Sequence, residues 1–357
     1  MSHRLTMLTL AFVLTAAALA MTAETAHAQR AVKLAPAAGV VSTVAVSDTG
    51  LVAYTVRGKD KVHGLYILNY NAPGKPKRIS DGIGADFAPD GSELVFYNDN
   101  KGDNLFWVTT ITPEGKDAFE MGVQGKDPTS VKPIFSPDGK AIIYSNSEGT
   151  FIIPRIGQFT KRLSTTVLSD ATWSPDGKSV LFVRKGGGIS TMDVLSGSTR
   201  DLTPNFHGFN PRWAPDGSKI LFTHELGVYV MDMATGKRKQ AADGEGAEWT
   251  NSGKAILALR ATGTVSGAAG NARNDFALHW VPLDNPDGAL QLAKKAHDVA
   301  ITPDGRTVVF GVINDGVYKV RLEKLDGESE AAGRIKSVRA SAAVPAAAIP
   351  TGEAGGE

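Results

Sequence analysis

The chain contains no cysteine. That absence excludes disulfides, thiolate nucleophiles, cysteine-based zinc sites and a lipid-modified N-terminal cysteine. Net charge is also nearly absent: 38 Lys and Arg face 37 Asp and Glu, a formal +1, so nothing favours nucleic acid or an anionic membrane surface as a partner. After the first segment there is no second long apolar run, so no transmembrane segment is expected in the mature chain. A G-x-S-x-G nucleophile elbow is missing, and no pair of histidines has H-x-x-x-H spacing. Asn98 to Asp103 offers oxygen ligands and a glycine but lacks the spacing and closing Glu of a calcium loop. Gly186-Gly187-Gly188 opens a strand rather than a helix, so it reads as a hairpin loop and not as a phosphate loop.

What is present begins with a basic start (His3, Arg4), an apolar stretch from Leu8 to Ala20 and the cleavage signal Ala26-His27-Ala28. Residues 1–28 therefore read as a secretory signal peptide. Their one basic and one acidic residue, Arg4 and Glu24, cancel, so the mature charge is unchanged. Export permits disulfides, but a large packed core does not need them. At the other end, residues 329–357 are rich in Ala, Gly, Ser and Pro without periodicity, the composition of a disordered tail.

Between these ends one phrase recurs: FAPDG ending at Gly91, FSPDG at Gly139, WSPDG at Gly177, WAPDG at Gly217 and ITPDG at Gly305. Weaker copies end at Gly50 and Gly253. The intervals between the glycines are 41, 48, 38, 40, 36 and 52 residues, the period of a four-stranded propeller blade. In each copy proline presets φ, aspartate bonds its own backbone and glycine tolerates positive φ, which makes a turn. Short apolar runs follow, such as Leu94 to Tyr97 and Val308 to Phe310, and read as buried strands. Third strands follow in most units, and more polar fourth strands in several, as expected at solvent-facing edges. The last unit lacks a fourth strand, while residues 30–35 look like one placed ahead of the first unit. The predicted fold is all-β: a seven-bladed propeller over residues 29–328, with six blades as the alternative, its ring closed by an N-terminal outer strand. Trp173, Trp213 and Trp249 precede their turns and are expected to pack between blades.

The W-S-P-D-G-K phrase followed by an apolar strand resembles the TolB-type β-propeller repeat, over about residues 31–325. That family includes the periplasmic Tol-Pal component, propeller domains of prolyl-oligopeptidase-like proteases, and oligogalacturonate lyases. The resemblance implies a periplasmic or secreted repeat protein.

Propeller geometry puts all Pro-Asp-Gly hairpins on one face, which makes their repeated aspartates turn formers rather than catalytic acids. On the opposite face, alignment of the repeats puts Asn98, Asn146, Arg184, His224 and Arg260 at the ends of second strands. Asp170 and Asp298 fall where inner strands begin, and Asp86, Arg212 and Glu248 two residues further on. These ten residues are the candidate binding set at one mouth of the central channel, with Asp86, Arg212 and Glu248 also placed to form ion pairs between blades. Arg184, Arg212 and Arg260 suit an acidic or C-terminal carboxylate group. The Gly-rich insertion 261–275 is either a flap over that mouth or a surface insertion.

The functional expectation is a monomeric, exported, non-enzymatic scaffold, without cofactor, that binds a protein or peptide partner at the mouth. The alternative is a polysaccharide lyase or hydrolase working there with His224 or His297 and an acidic partner. His63, His207 and His279 complete the mature histidines, and sequence leaves open whether any meet at a metal.

Overall fold

A computed structural model describes residues 31–322, apart from 58–62, 73, 99–105, 125–131, 157–158, 205 and 263–275. The signal-peptide segment, the C-terminal tail, nearly all of the 261–275 insertion and most of the Asn98 to Asp103 loop lie outside the described residues.

The described chain is almost entirely β. Strand β1 (Val32–Pro36) comes first. Blade 1 follows with β2 (Val40–Val46), β3 (Leu51–Arg57), β4 (His63–Asn69) and β5 (Lys77–Asp81). Blade 2 has β6 (Ile83–Phe87), β7 (Leu94–Asn98), β8 (Phe106–Ile111) and β9 (Phe119–Gln124); blade 3 has β10 (Ile134–Phe135), β11 (Ala141–Asn146), β12 (Gly149–Pro154) and β13 (Lys161–Ser164). Blade 4 comprises β14 (Ser169–Trp173), β15 (Ser179–Val183), β16 (Ile189–Asp193) and β17 (Thr199–Asp201). In blade 5 these are β18 (Phe209–Trp213), β19 (Lys219–His224), β20 (Gly227–Asp232) and β21 (Arg238–Asp243). Blade 6 holds β22 (Glu245–Trp249), β23 (Ala255–Ala261), β24 (Phe276–Pro282) and β25 (Leu290–Ala293); blade 7 holds β26 (His297–Ile301), β27 (Thr307–Val312) and β28 (Gly316–Arg321). No helix among the described residues is long and apolar enough to cross a membrane.

The seventh sheet has the order β1-β28-β27-β26. The first strand of the chain is thus the outer strand of the last blade, paired antiparallel with Val32 opposite Lys319 and Pro36 opposite Gly316. Seven blades, not six, make the ring. Beside the pairing, Lys33 forms an ion pair with Asp315, and Tyr318 donates to the same carboxylate at 2.6 Å. Two outer strands, β9 and β21, carry no sequence pattern strong enough to have been expected. They form because each third strand presents a free edge that the following segment satisfies.

The repeated turn works as its residues dictate. In the FAPDG copy the Gly91 amide bonds the Ala88 carbonyl at 2.8 Å, and Asp90 accepts from the Ser92 amide at 3.0 Å. The same aspartate bond recurs at Asp138, Asp176, Asp216 and Asp304. Gly91, Gly139, Gly177, Gly217 and Gly305 all have φ near +70°, where a side chain is disfavoured.

Seven apolar clusters hold the blades, one in each seam. Leu65 and Ile67 of blade 1 meet Phe87 and Phe96 of blade 2, and Leu221 and Val228 of blade 5 meet Trp249 and Ile256 of blade 6. At the closing seam Leu34 and Ala35 of β1 join Val41 and Tyr54 of blade 1 and Val309 and Val317 of blade 7. Trp173 and Trp249 are buried in seams, and Trp213 is partly buried against the seam between blades 4 and 5. Polar links reinforce the apolar ones. Arg155 of blade 3 reaches Asp90 and Glu93 of blade 2, each at 3.0 Å, and the buried Tyr97 hydroxyl exchanges bonds with the Ser145 backbone at 3.0 and 3.1 Å.

Deleting residues 31–36 exposes the edge of β28 and removes Leu34 and Ala35 from the closing seam. Loss of several kcal/mol in a domain of this size lowers the melting temperature by roughly 10 °C. Calorimetry of the truncated chain checks this, and an unchanged melt means the ring does not depend on β1.

Candidate functional site

The channel mouth is built on a repeated irregularity. At the start of the inner strand in six blades the pairing slips, as between Ser169 and Thr172, Phe209 and Arg212, Glu245 and Glu248, and His297 and Val299. In five of the six the residue at the slip takes positive φ: Gly84 +71°, Asp170 +50°, Asn210 +50°, Gly246 +58° and Asp298 +43°. Gly, Asn and Asp are the residues that tolerate this conformation. Asp170 and Asp298 therefore occupy their positions for a backbone reason, and the bulge then re-aims the strand so that the residue two further on faces the channel.

Those next residues make the electrostatic centre. Arg212 Nε donates to Glu248 Oε1 at 2.8 Å across the seam between blades 5 and 6. Trp249 Nε1 donates to the Arg212 carbonyl at 3.2 Å, which anchors the arginine's backbone to the same neighbour. The channel walls surround Arg212, yet 32% of its side chain stays open to the lumen. Burial works against its charge, but Glu248, Asp170 and Asp298 outweigh that effect and hold its pKa above the ordinary value. Arg212 is thus a permanent cation, paired with Glu248 of blade 6 and held in the field of Asp170 and Asp298 from blades 4 and 7. On the other side of the channel Asp86 pairs with Lys132 at 3.5 Å and accepts from the Phe135 amide at 3.1 Å. Asp170 likewise accepts from the Asn210 amide at 3.2 Å, so these carboxylates stitch one blade to the next.

The residues at the ends of second strands sit apart from this centre. Asn98 and Asn146 are buried, and Asn146 accepts from the Glu148 amide at 2.9 Å, bracing its hairpin. Arg184 turns to its own blade's outer strand, 3.1 Å from Asp201, and reaches the Pro204 carbonyl at 3.5 Å. His224 Nδ1 donates to the His207 carbonyl, and its ring lies 3.7 Å from Phe206. The three candidate arginines consequently have separate surroundings: Arg212 in the channel, Arg184 on blade 4, and Arg260 beside His279 on blade 6.

Residues that sequence alone did not bring to the site are Lys185, Phe206, His207 and Arg238. Lys132, which aligns with Asp170 at the start of an inner strand, is legible in the repeat and meets Asp86 there. Histidine placement is also tertiary. His297 Nε2 lies 3.5 Å from Asp298, His207 in the link between blades 4 and 5 meets His224 of blade 5 through its carbonyl, and His279 lies on blade 6. Among the described residues no group of three or more His, Asp or Glu is arranged to hold a metal ion.

Geometry therefore defines the class as a seven-bladed β-propeller with a charged channel mouth. No known sequence family matches the chain and no curated protein matches it. Solved structures do. An oligogalacturonate lyase in complex with manganese is 13% identical with a TM-score of 0.58, over 78% of this chain and 88% of that one. TolB from Acinetobacter baumannii is 19% identical, with a TM-score of 0.47 over 58% of this chain and 56% of that one. A putative TolB from Agrobacterium tumefaciens is 18% identical, also at 0.47, over 58% and 82%. The match thus spans little more than half the length of the Acinetobacter protein. At these identities the likeness is one of fold.

Two measurements probe the mouth. In a double-mutant cycle, Arg212→Ala and Glu248→Ala couple by about 1–2 kcal/mol, since the pair is charge-assisted but still partly open to water; a coupling near zero means the pair is not formed in solution. His279 is half-buried, and its pKa is pushed below the ordinary 6.5 by burial and by Arg260, against the bond to the Ala277 carbonyl. The unfolded chain therefore binds this proton more readily, so stability falls as pH drops below about 6.5. His279→Gln removes that part of the slope, read from urea unfolding at several pH values.

Proposed function

We propose that this is an exported, non-enzymatic propeller scaffold that binds a protein or peptide partner on the face where the inner strands begin. The observation that carries this reading is the difference between the two faces. On the turn face the polar side chains are consumed by the repeated turn itself: Ser136 and Ser174 each bond the aspartate of their own turn at 2.6 Å. On the opposite face half-buried charged groups collect, centred on Arg212, Glu248, Asp170 and Asp298, in a rigid frame that does not need to reorganise on binding. The signal-peptide-like residues 1–28 support export to the periplasm or the medium.

A polysaccharide lyase or hydrolase at the same mouth is the second reading, supported by the His297–Asp298 pair and by the overall likeness to a solved lyase. The two readings separate when the purified mature chain is assayed on an acidic polysaccharide: appearance of shortened or unsaturated products favours the enzyme.

Photo-crosslinking tests the scaffold reading. Leu226, in the hairpin between the second and third strands of blade 5, is 59% exposed on the mouth face, and Leu195, on the turn face, is 79% exposed. A photoreactive residue at 226 is expected to give a discrete adduct in the exported fraction, and one at 195 is not. Adducts from 195 alone, from both positions equally, or from neither sink the proposal.

A further inference from the structure

Next to the mouth, between blades 4 and 5, lies a cavity of about 180 Å³ lined by the hairpin 184–188 and by Pro204, Phe206 and His207. Its lining supplies two cations, Arg184 and Lys185, and an imidazole, and no carboxylate is among the described lining residues. Asp201, which is not in the lining, pairs with Arg184 at 3.1 Å. A third of the Arg184 side chain is exposed and Lys185 is exposed, so both cations keep surface through which to meet an anion.

The hairpin backbone adds donors. Its internal bonds, Arg184 amide to Gly188 carbonyl at 2.9 Å and Gly187 amide to Arg184 carbonyl at 3.0 Å, leave the amides of Lys185, Gly186 and Gly188 outside the turn's own bonding. Gly186, Gly187 and Gly188 have φ of +90°, +86° and +86°, a run that only glycine sustains. Turn amides flanked by cations make a concave anion site. Size sets a limit as well. A Cβ on Gly187 would lie 2.1 Å from His207 Nδ1, so the glycine is what keeps the cavity open, and there is room for a carboxylate and a small group beside it.

The wall opposite the hairpin is Phe206. Its ring already carries His224 at 3.7 Å and the Arg238 guanidinium at 4.3 Å, so a sugar finds no open aromatic face on which to stack. We infer that this cavity takes the C-terminal carboxylate of a peptide that ends in a small residue, a mode of recognition in which backbone donors and a cation grip the chain end. The inference rests on the scaffold reading and names the part of the partner that the mouth face would hold.

The test uses the mature full chain, isotope-labelled for NMR, and the probe acetyl-Gly-Ala-Ala as free acid and as C-terminal amide. The free acid is expected to shift the Gly186, Gly188 and His207 amide signals, with the amide form binding about tenfold or more weakly. Lys185→Gln, which disturbs no packed contact, weakens the free acid severalfold; Gly187→Ala fills the cavity and abolishes the shifts. Equal binding of the amide form, shifts produced by galacturonic acid but not by the peptide, or an indifferent Lys185→Gln overturn the inference. Crosslinking from position 226 keeps the two proposals apart. If capture survives Gly187→Ala at full strength, the carboxylate site is refuted while the scaffold stands; if capture from 226 is absent in the unaltered chain, the scaffold itself falls.

Discussion

The structure depends on the apolar seam between blades. A four-stranded sheet with both faces apolar cannot stand alone in water, and each blade solves this only by lying between two others. A linear stack would leave two end faces bare, and a ring leaves none. The pairing of β1 with β28 makes that ring hard to open, because the segment that leads directly into blade 1 is itself the outer strand of blade 7. Leu34, contributed by the first strand of the chain, lies in the same cluster as Val41 and Val317, so closure and seam packing are a single event.

Ring closure also decides where chemistry can occur. With every blade edge-on to the axis, the innermost strands converge, and small irregularities in them have large consequences. The slip at Asp170, Asn210, Gly246 and Asp298 turns the residue two positions further on toward the lumen, and it puts Arg212 next to Glu248 and near two aspartates from other blades. A guanidinium in that setting stays charged, and its neighbours stay paired. The centre of the channel is therefore a rigid electrostatic frame.

Much of the architecture was legible in sequence because a turn is a local object. Pro-Asp-Gly states its own φ preferences and its own hydrogen bonds, and the apolar run after it states a buried strand, so blade number and even the displaced outer strand could be read from residues close together. The outer strands β9 and β21 escaped because an edge strand is specified by the edge it meets rather than by its own apolar pattern. The candidate residues were legible as positions but not as pairs. Arg184, Arg212 and Arg260 stand at related places in three repeats, yet Arg212 reaches across a seam to Glu248 while Arg184 bends back to Asp201.

What the sequence by itself determined is the repeat: the turn, the strands beside it, the period near forty residues, and glycine, Asn or Asp at the slips of the inner strands where the backbone needs positive φ. Those follow from interactions within a few residues of one another. Tertiary structure alone decided which charges neutralise each other, which asparagines are buried in hairpins, and that a glycine hairpin of blade 4 meets Phe206 and His207 to enclose a cationic cavity. The partners in those contacts belong to different strands or different blades, and only closing the ring sets the distances over which charge and hydrogen bonding act.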